Sequence, residues 1–536
     1  MSLLLTFLAA SLAAQAPPGA HDHAPRLGQI EFSSTCSAQA QPLLIEGLGW
    51  LHSFEYDEAE RDFGQAAEAD PGCGIAFWGV AMTQYHPLWA APSPAEFAKG
   101  RAALAKARDA GARSERERDY IAALSAFYDA PEAADLKTRV LAYATSMERL
   151  HRRYPDDREA AVFYALALIA AGTLDADPEY RRELAAASIL NAVFAKGPDH
   201  PGVAHYLIHG YDYPALAHLA LPAARRYAAI APASAHAQHM PSHIFVRLGL
   251  WDEAIASNTA AEAAALAYAA SRNMPGAWDE RLHAMDYLAY AYLQTGRDTD
   301  ARRVLEELAA ITRVDPPNFK VAYAAAAIPA RYAIERRQWR EAATLELPAN
   351  TRALVPWTKF PWAEAHLHLA RAIGAARSGN AGRARAEAAI LADVERGLTV
   401  PPGEYDWRRQ VQIERMTADA WASFAEGNRD AALTSMRAAA ELDDATEKHP
   451  VTPGSIAPAR EQLGELLIEL GRPNDALTAY RAALREAPNR FVALYGAARA
   501  AEGAGQKADA ANGDLARPEL MQAKSRSNSR AEGAGY

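Results

Sequence analysis

A 34-residue period constrains this chain more than any other feature. Between Ala457 and Arg490, Gly464, Gly471, Ala476, Tyr480, Ala483 and Pro488 fall at positions 8, 15, 20, 24, 27 and 32. The same frame runs from Ala40 to Cys73 through Gly47, Ala59, Phe63, Ala66 and Pro71. It returns from Ala235 through Gly249, Ala254 and Ala261, and from Leu282 through Ala289, Gly296 and Ala301. Fainter copies begin near Ala365 and Ile413. Small residues at 8, 20 and 27 let two helices and the next repeat approach closely. The glycine at 15 ends the first helix and the proline at 32 ends the second. Half of the 536 residues are hydrophobic, enough for a large core. A repeat replaces the three or four domains that length alone would suggest.

This pattern resembles the tetratricopeptide repeat (TPR). The resemblance implies an all-α fold, a TPR-like α-solenoid in which helix–turn–helix repeats stack into a right-handed superhelix. It covers residues 36–502, with clear repeats near 40–73, 235–268, 282–315 and 457–490. Residues 503–536, poor in apolar side chains, are expected to be a disordered tail.

Residues 1–20 read as a signal peptide followed by a flexible mature N-terminus. The apolar run from Leu3 to Ala14 is too short to span a bilayer of ~30 Å, and Ala14-Gln15-Ala16 resembles a cleavage site. Export places the protein in the periplasm or outside the cell, with no membrane span once the signal is removed. The two cysteines, Cys36 and Cys73, would then meet oxidising conditions. A disulfide between them would contribute about 3–4 kcal/mol; the alternative is two buried thiols.

Histidine is concentrated in one stretch of the chain. Eight of sixteen lie between His200 and His283. His205 and His209 are four apart, as are His239 and His243, and each member of the second pair lies 34 residues after its counterpart. Residues four apart share a helix face. By the TPR resemblance, positions 2, 5, 9, 12 and 13 of each first helix line the concave surface. The pairs occupy positions 5 and 9 of the frames begun at Pro201 and Ala235. His283 and Asp286 occupy positions 2 and 5 of the frame begun at Leu282. These six residues form a candidate transition-metal ligand set. Nitrogen and oxygen donors without thiolate suit Zn²⁺, Cu²⁺, Fe²⁺ or Ni²⁺ better than Ca²⁺ or Mg²⁺. Other candidates for the same groove are His52 and His86, again 34 apart, with Asp212, His366, His449 and Glu461. Two alternatives stand beside metal: a histidine-lined groove for a small molecule or peptide, and plain packing.

The segments HYLIHGYDYP, HMPSHIFVRLGLWDEA and ERLHAMDYLAYA resemble a group of exported bacterial TPR proteins. These carry an H-x-x-x-H block, then HMP-[SA]-HI, then a block with two histidines three apart. His283 matches the first histidine of that third block, and Asp286 replaces the second. The resemblance implies export and supplies no reaction.

Several classes are disfavoured. A net charge of −10 without a basic block argues against nucleic acid. HMPSH lacks the glutamate of H-E-x-x-H. No P-loop, dinucleotide fingerprint or G-x-S-x-G motif stands in context, so no nucleotide cofactor is expected. The sequence leads to an exported TPR protein with a histidine-rich concave groove that binds a transition metal (Zn, Cu or Fe), open to extension as a metal-dependent enzyme with catalytic residues unassigned. The alternative is a periplasmic scaffold that binds a peptide or protein partner without chemistry.

Overall fold

The small positions of the repeat set how closely its helices pack. A Cβ on Gly47 would lie 2.8 Å from the Phe63 ring, and one on Gly464 2.7 Å from Tyr480. In both repeats position 8 stays bare so that the aromatic at position 24 can lie against it. The turn between paired helices needs a left-handed residue. Gly249, Gly296, Gly379, Gly427 and Gly471, all at position 15, have φ between +65° and +84°. Phe54 holds that place in the first repeat with φ +57°, a conformation that costs a residue with a side chain about 1–2 kcal/mol.

The computed structural model describes residues 26–506, apart from 89–90, 131–133, 176 and 402–403. The architecture is an all-α solenoid. Most helices pack against their neighbours in sequence, from Ala40–His52 on Tyr56–Ala69 to Pro473–Glu486 on Phe491–Gly503. The strands among the described residues are a two-residue parallel pair, Ala277–Trp278 with Val314–Asp315. No described helix is long and apolar enough to cross a membrane. The expected signal segment lies outside the described residues, as does the expected tail beyond 506. Cys36 and Cys73 are disulfide-bonded, with Cα atoms 5.0 Å apart. The bond ties the segment before the first helix to the start of Gly74–Met82.

The solenoid closes on itself, which the repeat pattern did not announce. Helix Ala40–His52 meets Pro201–Gly210, and Asp279–Gln294 meets Phe491–Gly503. Trp251 donates its indole N–H to the Asn489 carbonyl at 2.9 Å. The segment 446–458 runs across the concave side. Its Lys448 and Glu447 pair with Asp212 and Arg247, and its Gly454 carbonyl accepts from Tyr323 and Arg331. The concave face is therefore interior, and the histidines on it are buried rather than lining an open groove.

Candidate metal centre

Three first helices carry the histidines. His200 caps Pro201–Gly210 by accepting the Val203 N–H on its Nδ1, and Pro201 opens the helix. This helix presents His205 and His209. Ser234 caps Ala235–His239 through the Ala237 N–H, and Pro241 opens Pro241–Arg247 after Met240. Met240 itself keeps helical angles (φ −52°, ψ −37°). Pro241 removes one N–H, but the helical path continues and His239 and His243 keep a common face. The third helix, Asp279–Gln294, carries His283.

The side chains meet as two triads. His205, His209 and His236 form one; His239, His243 and His283 form the other. Within each, the nitrogens that face inward lie within 4.8 Å of one another. The triads are neighbours, with the His209 and His243 rings 6.1 Å apart and the His236 and His239 rings 6.2 Å apart. Each has an aromatic cover. Phe54 lies 4.4 Å from His205, 5.7 Å from His209 and 5.9 Å from His236. Tyr287 lies 4.6 Å from His239, 5.3 Å from His243 and 5.4 Å from His283. The strained turn at Phe54 thus places a ring over the first triad.

Three of the outer nitrogens are held by acceptors, which fixes the proton on the far side of those rings. His205 Nδ1 donates to the His52 carbonyl at 2.6 Å. His239 Nδ1 donates to Asn258 Oδ1 at 2.7 Å, and Asn258 Nδ2 donates to the Ala254 carbonyl, so its oxygen is the atom facing His239. His243 Nδ1 donates to Asp212 Oδ2 at 3.0 Å. Burial would raise the Asp212 carboxyl, but Lys448 and Arg247 beside it hold it well below the usual range, so it only accepts.

His239 and His243 consequently point bare Nε2 lone pairs at each other across 3.0 Å. The Tyr287 hydroxyl, 3.4 Å from His243 Nε2, can supply a proton to one of them and not to both. Two nitrogens at about 2.0–2.1 Å from a shared ion, at 90–110°, would be about 2.9–3.4 Å apart. The first triad has the same spacing, 3.1 Å between His205 and His209 Nε2, although there His209 can donate its own N–H. Burial, and then the neighbouring imidazoles, lower His209, His236, His239 and His283 well below the ordinary histidine value. Burial takes His205 to about 3. All of them are neutral near pH 7, the form that binds metal.

The structure rearranges part of the expected set. His205, His209, His239, His243 and His283 do come together, but around two points rather than one. Asp286 does not join them: its carboxylate takes the buried Arg331 at 2.6 Å. His52 does not line a groove. Its ring is sealed between Glu159, Tyr206 and Phe163, and only its carbonyl reaches the centre. Asp212 acts behind His243 instead of facing the triads' inner nitrogens. His86 packs on Tyr56, His366 bonds Glu414 at 2.7 Å, and His449 is set among Phe319, Tyr405 and Trp407. Glu461 pairs with Arg490 beside a separate C-terminal cleft.

His236 was missed, although its register was in view. It stands at position 2 of the frame begun at Ala235, as His283 does in the frame begun at Leu282. Each triad is therefore positions 5 and 9 of one repeat plus position 2 of the next. The 47-residue step from His236 to His283, lengthened by the long helix Trp251–Ser271, conceals the rule. A third group, His52, Glu159 and His200, is also close-set. There Glu159 bridges the two Nε2 atoms at 2.8 and 2.7 Å, while Tyr206 and the Val203 N–H occupy the two Nδ1 atoms. It is complete without an ion.

A family profile described as a tetratricopeptide repeat matches residues 457–490. The chain carries a tetratricopeptide repeat. No curated protein sequence matches it. Similar solved structures include yeast Tom70, at 10% identity and a TM-score of 0.28 over 90% of this chain and 91% of that one. The Cut9–Hcn1 hetero-tetramer of the APC/C gives 12% and 0.33 over 86% and 76%. The P58(IPK) TPR domain gives 13% and 0.20 over 88% and 99%. TM-scores this low carry no argument, and the repeat rests on the family profile.

Proposed function

We propose that this repeat protein binds transition metal, Zn, Cu or Fe, in the two buried histidine triads, one ion between each pair of consecutive repeats, and that it does so in the periplasm or outside the cell. The observation that carries the reading is the His239–His243 pair: two Nε2 atoms 3.0 Å apart, with Asn258 and Asp212 accepting behind them at Nδ1, stand at the spacing of two ligands on one ion. The Cys36–Cys73 disulfide supports the oxidising location. Three protein ligands leave a coordination position for water or substrate, the condition for Lewis-acid or redox chemistry.

Elemental analysis of the full chain, purified without a histidine tag, tests this. About two ions per chain are expected. His239→Ala/His243→Ala should lose one and His205→Ala/His209→Ala the other, with helicity preserved by circular dichroism. Folded protein that arrives metal-free and takes up neither Zn²⁺ nor Cu²⁺ in titration ends the proposal.

A second reading, a scaffold for a peptide or protein partner, has its own observation. A small cleft opens at the matched repeat, lined by Arg337, Trp339, Arg377 and Trp421 together with Glu461 and Glu465. Glu461 and Glu465 stand at positions 5 and 9 of that repeat, the positions that repeats of this kind turn to their concave side. The two readings use different ends of the molecule and are compatible.

A further inference from the structure

The ring that covers the second triad carries an oxygen. Tyr287 is fully buried and stands edge-on to His239 and His283, at 88° and 83°. Among the described residues its hydroxyl has one polar neighbour, the inner Nε2 of His243 at 3.4 Å. Buried phenols ordinarily find a hydrogen-bond partner of their own. This one is turned to a nitrogen of the candidate centre, at a distance long for a hydrogen bond.

Helix geometry explains the placement. His283 and Tyr287 are four residues apart on Asp279–Gln294, as His239 and His243 are on the facing helical path. Each pair therefore shares a helix face. The His239 and His283 rings lie 4.1 Å apart, so the two pairs oppose each other. Two donors 3.4 Å apart, each at about 2.0–2.1 Å from one ion, subtend about 110° at it, close to the tetrahedral angle. The spacing that is long for a hydrogen bond is ordinary for two ligands. The corresponding places at the first triad offer no oxygen: its cover is Phe54, and four residues after His236 stands Met240.

We propose that the Tyr287 oxygen is the fourth ligand of the ion held by His239, His243 and His283, bound as phenolate. The inference rests on the metal-binding reading of that triad. On coordination the phenol O–H bond breaks, the metal–oxygen bond forms and the proton leaves to solvent. Burial, and then the Asp212 and Asp286 charges, keep the phenol protonated without an ion; a dication on the oxygen reverses that preference, as it does for bound water and thiol. The phenolate also brings the second ion a negative charge that neutral imidazoles do not. That ion then has four protein donors, whereas the ion of the first triad keeps a position for water or substrate.

Zinc titration of the metal-stripped full chain, followed by the ultraviolet difference absorption of ionised phenol, tests this. Saturation should bring about two zinc ions per chain and the absorption of a single phenolate. Tyr287→Phe, with helicity held, should lose that absorption and bind one of its ions at least about ten-fold more weakly. His205→Ala/His209→Ala should keep the absorption, and His239→Ala/His243→Ala should lose it. Full zinc uptake without phenolate, or an absorption that survives in Tyr287→Phe, overturns the fourth ligand and leaves the histidine triads standing. A chain that takes up no zinc removes the metal reading itself, and this inference with it.

Discussion

Asn258 shows how much one neutral side chain decides. It is fully buried on helix Trp251–Ser271, donates to the Ala254 carbonyl, and so turns its oxygen to His239. Without that acceptor, the His239 proton can move to Nε2, where it would block a ligand position. Asn258→Leu should therefore weaken zinc binding by about 10–100-fold, the usual effect of losing a partner behind a ligand. Asn258→Asp keeps an acceptor and should hold affinity within a few-fold. Competition with a chromophoric chelator measures both. An Asn258→Leu protein of unchanged affinity would mean that the tautomer is fixed by something else. Asn258 stands at position 24 of the frame begun at Ala235, where Phe63 and Tyr480 put an aromatic ring in their repeats, but spacing alone does not say which side chain across the helix pair it meets. The histidines that come together were legible at this scale wherever spacing repeated, as with His205 and His239. Asp286 was misread because its partner, Arg331, lies 45 residues on and no local pattern links them.

The segment 446–458 shows what periodicity leaves out. Its sequence, KHP followed by small and polar residues, reads as a connecting loop, yet it closes the concave side. His449 anchors it: the ring stacks on Trp407 at 4.9 Å and its Nδ1 accepts the Val451 N–H at 3.1 Å. Burial, then the Lys448 charge, lowers His449 to about 3, against about 6.5 when the segment is open. The closed form thus favours neutral imidazole. Its advantage is complete above pH 6.5 and declines as pH falls towards 3. Between pH 7 and pH 5 opening should become easier by about 2 kcal/mol. Amide exchange across 446–458, corrected for intrinsic rates, should report this, and His449→Phe should remove it. Exchange with the same pH response in both proteins would place the sensitivity in another group. The helices on either side were readable from position-15 glycines and small-residue contacts, but a segment with no period carries no register.

At the scale of the molecule, closure decides how the protein unfolds. An open solenoid is stabilised by nearest-neighbour interfaces, so its terminal repeats can fray alone. Here the last repeat is tied to the middle of the chain. Arg490 is 1% exposed and reaches Glu335 at 2.6 Å and the Tyr290 hydroxyl at 2.7 Å, besides pairing with Glu461. The Gln294 side-chain oxygen accepts the Phe491 N–H at 2.9 Å. Arg490→Met would leave two carboxylates buried without their cation, a loss of about 3–5 kcal/mol. Because those carboxylates sit on different repeats, the loss should be shared. The urea transition, followed by circular dichroism and by exchange in helix Asp279–Gln294, should move as one to lower midpoint. If instead helices Ala459–Glu469 and Pro473–Glu486 melt early while the centre keeps its stability, the ends are independent. The histidine triads would then owe their burial to the neighbouring repeats and the 446–458 segment alone.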